Sequence, residues 1–253
     1  MDWPAGVAEQ VHSNMILAAE RVIHQSVTAA LKEVRDGWAL FDAGRADMPY
    51  LNAAFPVTRT EPCISDAEAW FERRGSECVF RLQRGLHDAL LGRLFERGYI
   101  VSRTEPMLVN DAPVVESHTS ELEIIAVRDE SDFETAAIRA GISTETSDFS
   151  IVMHKATAQM SAATECWGFI GDRLVAGSVV VTTPPVAGIY AVFCEPGYRR
   201  RGFGTAVTWA AVKTSTEDGA RRFFLGATEM AFGMYQRMGF NPVSEYVMLN
   251  REQ

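Results

Sequence analysis

The sequence predicts a mixed α/β protein, α+β in character, built as two tandem copies of one fold, each a largely antiparallel twisted sheet flanked by helices. Three observations predict it. Strand-like and helix-like segments alternate through both halves of the 253 residues. Asn110–Ser120 is rich in Asp, Pro, Ser and Thr, the composition of a linker. The two halves end alike, in a helix, a Gly, an aromatic and a strand closing on Met-Leu. Together they divide the chain into residues 1–116 and 117–253.

In the first half, Val7–Val34 is dominated by Ala, Glu, Gln, Leu and Lys without Pro or Gly, and reads as a helix. Asp36-Gly37 ends it, and Trp38–Phe41 reads as a short strand. Ser65, followed by Asp66 and Glu68, has N-cap chemistry for a helix that Gly75 stops, with Trp70 and Phe71 on its apolar face. Cys78–Leu82 is a strand, and Leu86–Glu96 a helix with Leu90, Leu91, Leu94 and Phe95 on one stripe. Ile100–Val109 is a further strand.

The second half opens with the strand Leu122–Val127, then helices near Asp132–Gly141 and Ile151–Ser161. Cys166–Ile170, the turn Gly171-Asp172 and Leu174–Val181 form a hairpin signal, and Val186–Cys194 is another apolar strand. A helix over Gly202–Asp218, the strand Arg222–Ala227, a short helix over Phe232–Met238 and the strand Val243–Leu249 complete it.

The repeat is visible in GYIVSRTEPML (98–108) and GFNPVSEYVML (239–249). Met follows Gly by nine residues in each, Gly98 to Met107 and Gly239 to Met248. Gly98 and Gly239 would each sit just past a helix end, where a positive φ is cheap only for Gly. Tyr99 and Phe240 would pack under their sheets.

Hydrophobic residues make up 47% and charged residues 23%, the balance of a soluble protein with a sizeable core. The net charge of −9 disfavours generic binding to nucleic acid or to anionic membranes and mildly favours cationic small molecules. Cys63, Cys78, Cys166 and Cys194 show no CxxC spacing, so reduced thiols in a cytoplasm are expected rather than zinc or disulfides. MDWPAGVAEQ does not read as a signal peptide. Leu174–Cys194 carries no charge, but Thr182, Thr183, Pro184 and Pro185 break it into strands rather than a membrane helix. His12, His24, His87, His118 and His154 show no metal spacing, and neither a metal nor a site is expected from them.

The strongest local signal is IYAVFCEPGYRRRGFGTAVTWAAV (189–212). An apolar strand runs through Glu195-Pro196-Gly197 into Arg199-Arg200-Arg201-Gly202-Phe203-Gly204 and then a long helix. Gly202 and Gly204 remove side chains, so backbone N–H groups can close around a phosphate. The helix begins there, and its unpaired N–H groups and positive dipole end favour an anion. The arginines add charge and bidentate bonding. No GK[ST] follows, so this is not a P-loop. A dinucleotide fingerprint would need Gly where the chain has Val207. The plain alternative is a solvated basic run.

Arg199-x-x-Gly202-x-Gly204 after a strand, with Tyr235-Gln236-Arg237-Met238-Gly239-Phe240 downstream, resembles the GNAT superfamily of acyl-CoA-dependent N-acyltransferases. The family's pyrophosphate loop reads [RQ]-x-x-G-x-[GA], and its closing segment Y-x-x-x-G-F. The resemblance covers roughly Leu122–Gln253. The first half resembles a degenerate copy: TRTEPCISDAEAW (58–70) offers no Gly, and Asp66 and Glu68 would repel a phosphate. The resemblance implies that this half binds no coenzyme and shapes the acceptor pocket or braces the active half.

The resemblance implies direct transfer of an acetyl group from acetyl-CoA to a primary amine, on a small molecule, a peptide or a protein. Implied coenzyme contacts are Val192, Phe193 and Cys194, the strand that would pair with the pantetheine arm, and Arg199, Arg200, Arg201, Gly202, Phe203, Gly204 and Thr205 around the diphosphate. A backbone N–H near Val192 could stabilise the oxyanion. Tyr235 matches the family's general acid. Glu195 and Glu229 are open candidates for the base that deprotonates the amine, each with an alternative as a solvated acid. Cys194 has no nearby His to make it a nucleophile. The competing reading is a non-catalytic CoA-binding sensor or regulatory protein. A monomer or homodimer is expected, and the acceptor is not legible.

Overall fold

Asp36-Gly37 shows how one turn overrides composition. The computed structural model describes residues 6–20, 31–44, 48–57, 62–111, 113, 121–145 and 148–251. Asp36 and Gly37 have φ of 51° and 82°, the two positive values of a type I′ turn. That turn joins β1 (Leu31–Arg35) to β2 (Trp38–Asp42) as an antiparallel hairpin, Arg35 facing Trp38. The expected helix therefore ends early. Helix α1 is Val7–Ala19, residues 21–30 lie outside the described set, and Leu31–Val34 is strand. Helix-favouring Leu, Lys and Glu carry only tenths of a kcal/mol each, roughly, and pairing outweighs them.

The chain continues through β3 (Ala53–Pro56), α2 (Ile64–Glu72), β4 (Phe80–Gln83), α3 (Asp88–Glu96) and β5 (Tyr99–Asn110). Sequence patterning missed β3. Ser65 is not the N-cap of α2: Cys63 holds that position, without a side-chain cap bond. On α3, Leu90, Leu91 and Leu94 are buried as expected, but Phe95 is 47% exposed. Then come β6 (Glu123–Val127), α4 (Glu130–Arg139), α5 (Phe149–Ala158), β7 (Ala163–Ile170), β8 (Arg173–Thr183), β9 (Val186–Cys194), α6 (Phe203–Glu217), β10 (Arg222–Gly226), α7 (Glu229–Arg237) and β11 (Asn241–Arg251). Asp129 and Asp148 cap α4 and α5, accepting from Asp132 N and Ser150 N at 2.9 Å each.

The fold divides the chain elsewhere than at 116/117. One unit is Met1–Met107 with Val243–Gln253, and the other is Leu108–Pro242. The closing strand of the chain therefore completes the first unit. There β11 pairs antiparallel with β4, Tyr246 facing Gln83 and Leu249 facing Phe80. The expected linker lies largely outside the described residues.

In the first unit the strand order is β1-β2-β3-β4-β11-β5. One face packs Leu82, Phe80, Val247 and Leu249 with Trp70 and Phe71 of α2 and the leucines of α3. The register puts Gln83 and Tyr246 on the opposite face, where α1 supplies His12. His12 Nε2–H donates to Pro56 O at 2.6 Å, and its Nδ1 accepts from the Tyr246 hydroxyl at 3.1 Å. The His87 ring lies 4.6 Å from that of His12, and its Nδ1 accepts from Gln83 N.

In the second unit the order from the end of β5 is β10-β9-β8-β7-β6. Its two faces are distinct. Ser178 Oγ donates to Val207 O of α6, and Ser178 faces Cys166 across β8 and β7, so that face packs on α6. Trp167 and Phe169 point the other way, into a core with Phe133 and Ala137 of α4 and Ala158 of α5. Among the described residues no helix is long and apolar enough to cross a membrane.

Both repeat glycines take the expected conformation. Gly98 follows α3 with φ 82° and Gly239 follows α7 with φ 84°. Gly98 N donates to Phe95 O and Gly239 N to Gln236 O, closing each helix. A Cβ on Gly98 would meet nothing within 4 Å, whereas one on Gly239 would lie 3.2 Å from Asn110 Nδ2. Gly239→Ala is expected to cost about 1–3 kcal/mol, and more than Gly98→Ala, in urea denaturation. Burial lowers His12 to about 4 and His87 to about 3, the latter also through the charge of His12. Both are held neutral, so the unfolded chain binds more protons below the ordinary histidine value near 6.5. The urea midpoint should be flat above that pH and fall as pH drops from about 6.5 toward 4. His87→Leu should make that fall shallower.

Candidate active site

Where β9 loses a neighbour, the site begins. β9 and β10 run parallel from Arg222 facing Val186 to Leu225 facing Ile189, and the register ends there. β9 continues to Cys194, held on its other side by β8. The register with β8 slips within that extension: Val179 faces Tyr190 but Gly177 faces Phe193. Ala191 and Val192 thus stand opposite Ser178 alone, and Ala191 has φ 50°. This is a β-bulge, which turns the strand and re-aims its backbone groups. Alanine carries no signal for a positive φ, so sequence reading had no means to place it.

Past the bulge, Phe193 lays its ring across Gly177. A Cβ on Gly177 would fall 2.4 Å from Phe193 Cε1. Gly177 was not singled out from sequence, because its role is a cross-strand contact.

The loop after β9 forms as its glycines demand. A short 3-10 turn, Pro196–Tyr198, leads to Arg199. Arg200 has φ 61° and Gly202 has φ 82°, and Gly202 is the N-cap of α6 with no side-chain cap. Ala206 N donates to Gly202 O at 2.9 Å, the first bond of the helix. The N–H groups of Gly202, Phe203, Gly204 and Thr205 precede it and have no partner within the helix. Gly202 is exposed and Gly204 and Thr205 half-exposed, whereas the Phe203 ring is buried and anchors the helix start. A Cβ on Gly204 would meet only Met234 Sδ at 3.5 Å, an ordinary contact. The conformational need for glycine is therefore at Gly202.

The three arginines do different things. Arg199 Nε donates to Cys194 O at 3.2 Å and ties the loop to the end of β9. Arg201 lies 4.9 Å from the Phe203 ring centre and 5.6 Å from that of Tyr198, and pairs with Glu121 at 2.6 Å. Arg200 is exposed, with no hydrogen bond or ion pair among the described residues. The Cys194 carbonyl, expected to face a bound chain, already accepts one bond.

Tyr235 lies on α7, 4% exposed, in the core shared with Trp209 and Phe240, against which Val192 and Met234 pack. Burial pushes its hydroxyl up to about 12, opposed by a side-chain hydrogen bond with Thr208 of α6. Thr208 Oγ1 in turn donates to Gly204 O at 2.8 Å. Tyr235 is thus fully protonated at neutral pH, the state a proton donor needs. Thr208, which links it to the loop, was missed from sequence. Burial also raises the Cys194 thiol above its ordinary value, which disfavours a thiolate nucleophile.

The two candidate bases fare less well. Glu195 Oε2 accepts from Arg173 Nη2 at 2.8 Å and from Nε at 3.1 Å, so that oxygen is already engaged. Glu229 is exposed to solvent in the first turn of α7. No site was expected from the histidines, and one of them meets a buried carboxylate. His154 of α5 stands 2.6 Å from the buried Glu165 of β7, a pairing made by packing and not by any motif. His24 and His118 lie outside the described residues.

Among the described residues the first unit shows no comparable cradle. Its α2 starts with Cys63 at the N-cap and Asp66 in the first turn, and Thr58–Glu61 lie outside the described residues. A cavity of about 400 Å³ there is lined by Glu68, Glu72, Glu77, Cys78, Tyr99 and Arg251 among others. Glu68 accepts from the Tyr99 hydroxyl and pairs with Arg97 and Arg251.

Residues 137–240 match the family model described as the Acetyltransferase (GNAT) family. That stretch of the chain matches the GNAT family. A GCN5-related N-acetyltransferase from Kribbella flavida superposes with a TM-score of 0.73 at 17% identity, covering 99% of this chain and 97% of that one. A tandem GNAT protein from the clavulanic acid biosynthesis pathway gives 0.60 at 14% identity, covering 95% and 93%. A GCN5-related N-acetyltransferase from Sphaerobacter thermophilus gives 0.57 at 14%, covering 87% and 82%. At these identities the likeness is one of fold, and it extends to the tandem arrangement. No curated protein matches this chain in sequence.

Gly177→Ala should force the Phe193 ring from its place. A loss of about 1–3 kcal/mol in urea denaturation, with an altered near-UV circular dichroism spectrum, is expected.

Proposed function

We propose that this protein is an acetyl-CoA-dependent N-acetyltransferase acting on a primary amine. The observation that carries the reading is the uncapped start of α6, with Gly202 at φ 82°, set beside the stretch of β9 that runs on beyond its register with β10. Those features fit a diphosphate joined to an extended arm. The N–H groups of Gly202, Phe203, Gly204 and Thr205, with Arg200, would hold the diphosphate. Backbone groups of Val192 and Phe193 would align the arm, and Cys194 would join them only if its carbonyl accepts a second bond beside that from Arg199. When bound, the coenzyme supplies an activated acyl thioester.

The protein's own part is to bind, orient and move protons. Tyr235, protonated at neutral pH as any tyrosine is and more so for its burial, would give its proton, or lend it as a hydrogen bond, to the departing sulfur. The bulge at Ala191 would turn a backbone N–H near Val192 toward the carbonyl oxygen as negative charge grows. The first unit, with acidic residues where a phosphate would need amides, is proposed to bind no coenzyme.

Tyr235→Phe should lower turnover by about 10²-fold or more with little change in coenzyme affinity. Turnover would be read as thiol released from acetyl-CoA against polyamines, amino acids, aminoglycosides and peptide amines. Unchanged turnover would remove Tyr235 from the chemistry. Gly202→Glu places bulk and negative charge at the helix mouth. Calorimetry should then detect no binding of acetyl-CoA, and retained binding would overturn the loop assignment.

A further inference from the structure

Glu165 is 1% exposed in the middle of β7. Burying a carboxylate is costly unless hydrogen bonds and a partner compensate it. Here Oε2 accepts from Trp167 Nε1 at 2.6 Å and lies 2.6 Å from His154 Nδ1, while Oε1 is buried with no partner. An indole N–H can only donate, so Oε2 is an acceptor. The same oxygen can also accept from an Nδ1–H of His154. In a neutral imidazole that leaves Nε2 with a bare lone pair. The His154 side chain is 20% exposed, against 1% for Glu165, so it is the member of the cluster that water and a substrate can reach.

The register places this cluster on a particular face. Glu165 faces Val179, which faces Tyr190; Trp167 faces Gly177, which faces Phe193. Glu165 and Trp167 thus share a sheet face with the two residues that flank the bulge, and that face is the one turned away from α6. The His154 ring stands edge-on to Trp167 at 5.2 Å.

We propose that His154, oriented by the buried Glu165, is the base that deprotonates the acceptor amine, directly or through one water. This rests on the acyltransferase reading given above. It replaces Glu195, which Arg173 occupies, and the exposed Glu229 in that role. An alkylammonium has a pKa of about 10.4 and must shed a proton before it attacks. His154 Nε2 takes that proton and passes it to solvent. The C–N bond then forms as the C–S bond breaks. Tyr235 gives its proton to sulfur and regains one from the nitrogen, so one proton is released per transfer.

The test uses the full chain, with His154→Ala, His154→Asn and Glu165→Gln. His154→Asn keeps a donor near Glu165 without a basic nitrogen, and separates chemistry from folding. Long-range ¹H–¹⁵N correlation in the wild type should show His154 protonated at Nδ1 and bare at Nε2. Against the best amine of the panel, His154→Ala and His154→Asn should lose about 10²-fold or more in kcat. The KM for acetyl-CoA should be unchanged, and added imidazole should restore part of the rate to His154→Ala. An Nε2–H tautomer, wild-type kcat in either His154 variant, or a loss that imidazole does not rescue would overturn the assignment. A wild-type protein that acetylates no amine would instead overturn the acyltransferase reading, and this inference with it, before any substitution is made.

Discussion

The second unit depends on a single constraint, that β9 keeps one neighbour along its length and loses the other at Ile189. A strand edge with unpaired amides and carbonyls is normally a liability. Here the bulge at Ala191 turns that edge, and Arg199 reaches back from the loop to the carbonyl at its end. The open edge and the open start of α6 are consecutive in the chain, separated by a short turn. One ligand can therefore satisfy both sets of backbone groups at once.

Side chains around this backbone frame divide the labour by burial. Tyr235 is sunk in the core beside Thr208, and its hydroxyl stays protonated because desolvation opposes the phenolate. Arg201 is held between Phe203 and Tyr198 and braces the loop, leaving Arg200 to project. On the opposite face of the sheet, Glu165 sits dry and orients His154, which stays wet at its edge. Proton donor and proposed proton acceptor thus come from opposite faces, and β9 is the strand both would serve.

The first unit uses its architecture differently. Its helix-Gly-strand joint at Gly98 has the same geometry as that at Gly239, so the two ends remain recognisably alike. Its interior includes a histidine pair held neutral by burial and bonded to Tyr246, and no cradle for an anion among the described residues. The last strand of the chain closes this unit, not the one that precedes it in sequence.

What the sequence determined by itself is what depends on neighbours along the chain. Gly202 after a strand dictates a loop that opens onto a helix, and Gly98 and Gly239 dictate helix ends, because glycine takes a positive φ with the least strain. Alternating apolar runs placed nearly every strand of the second half to within a few residues. Tertiary structure decided the rest, for equally physical reasons. Pairing across β4 took the last strand into the first unit, since a strand joins whichever edge buries its apolar face. The bulge at Ala191, the ring of Phe193 over Gly177, the bond between Thr208 and Tyr235 and the pair of His154 with Glu165 each join residues whose meeting is a matter of packing. No local pattern encodes those contacts, and they hold the chemistry.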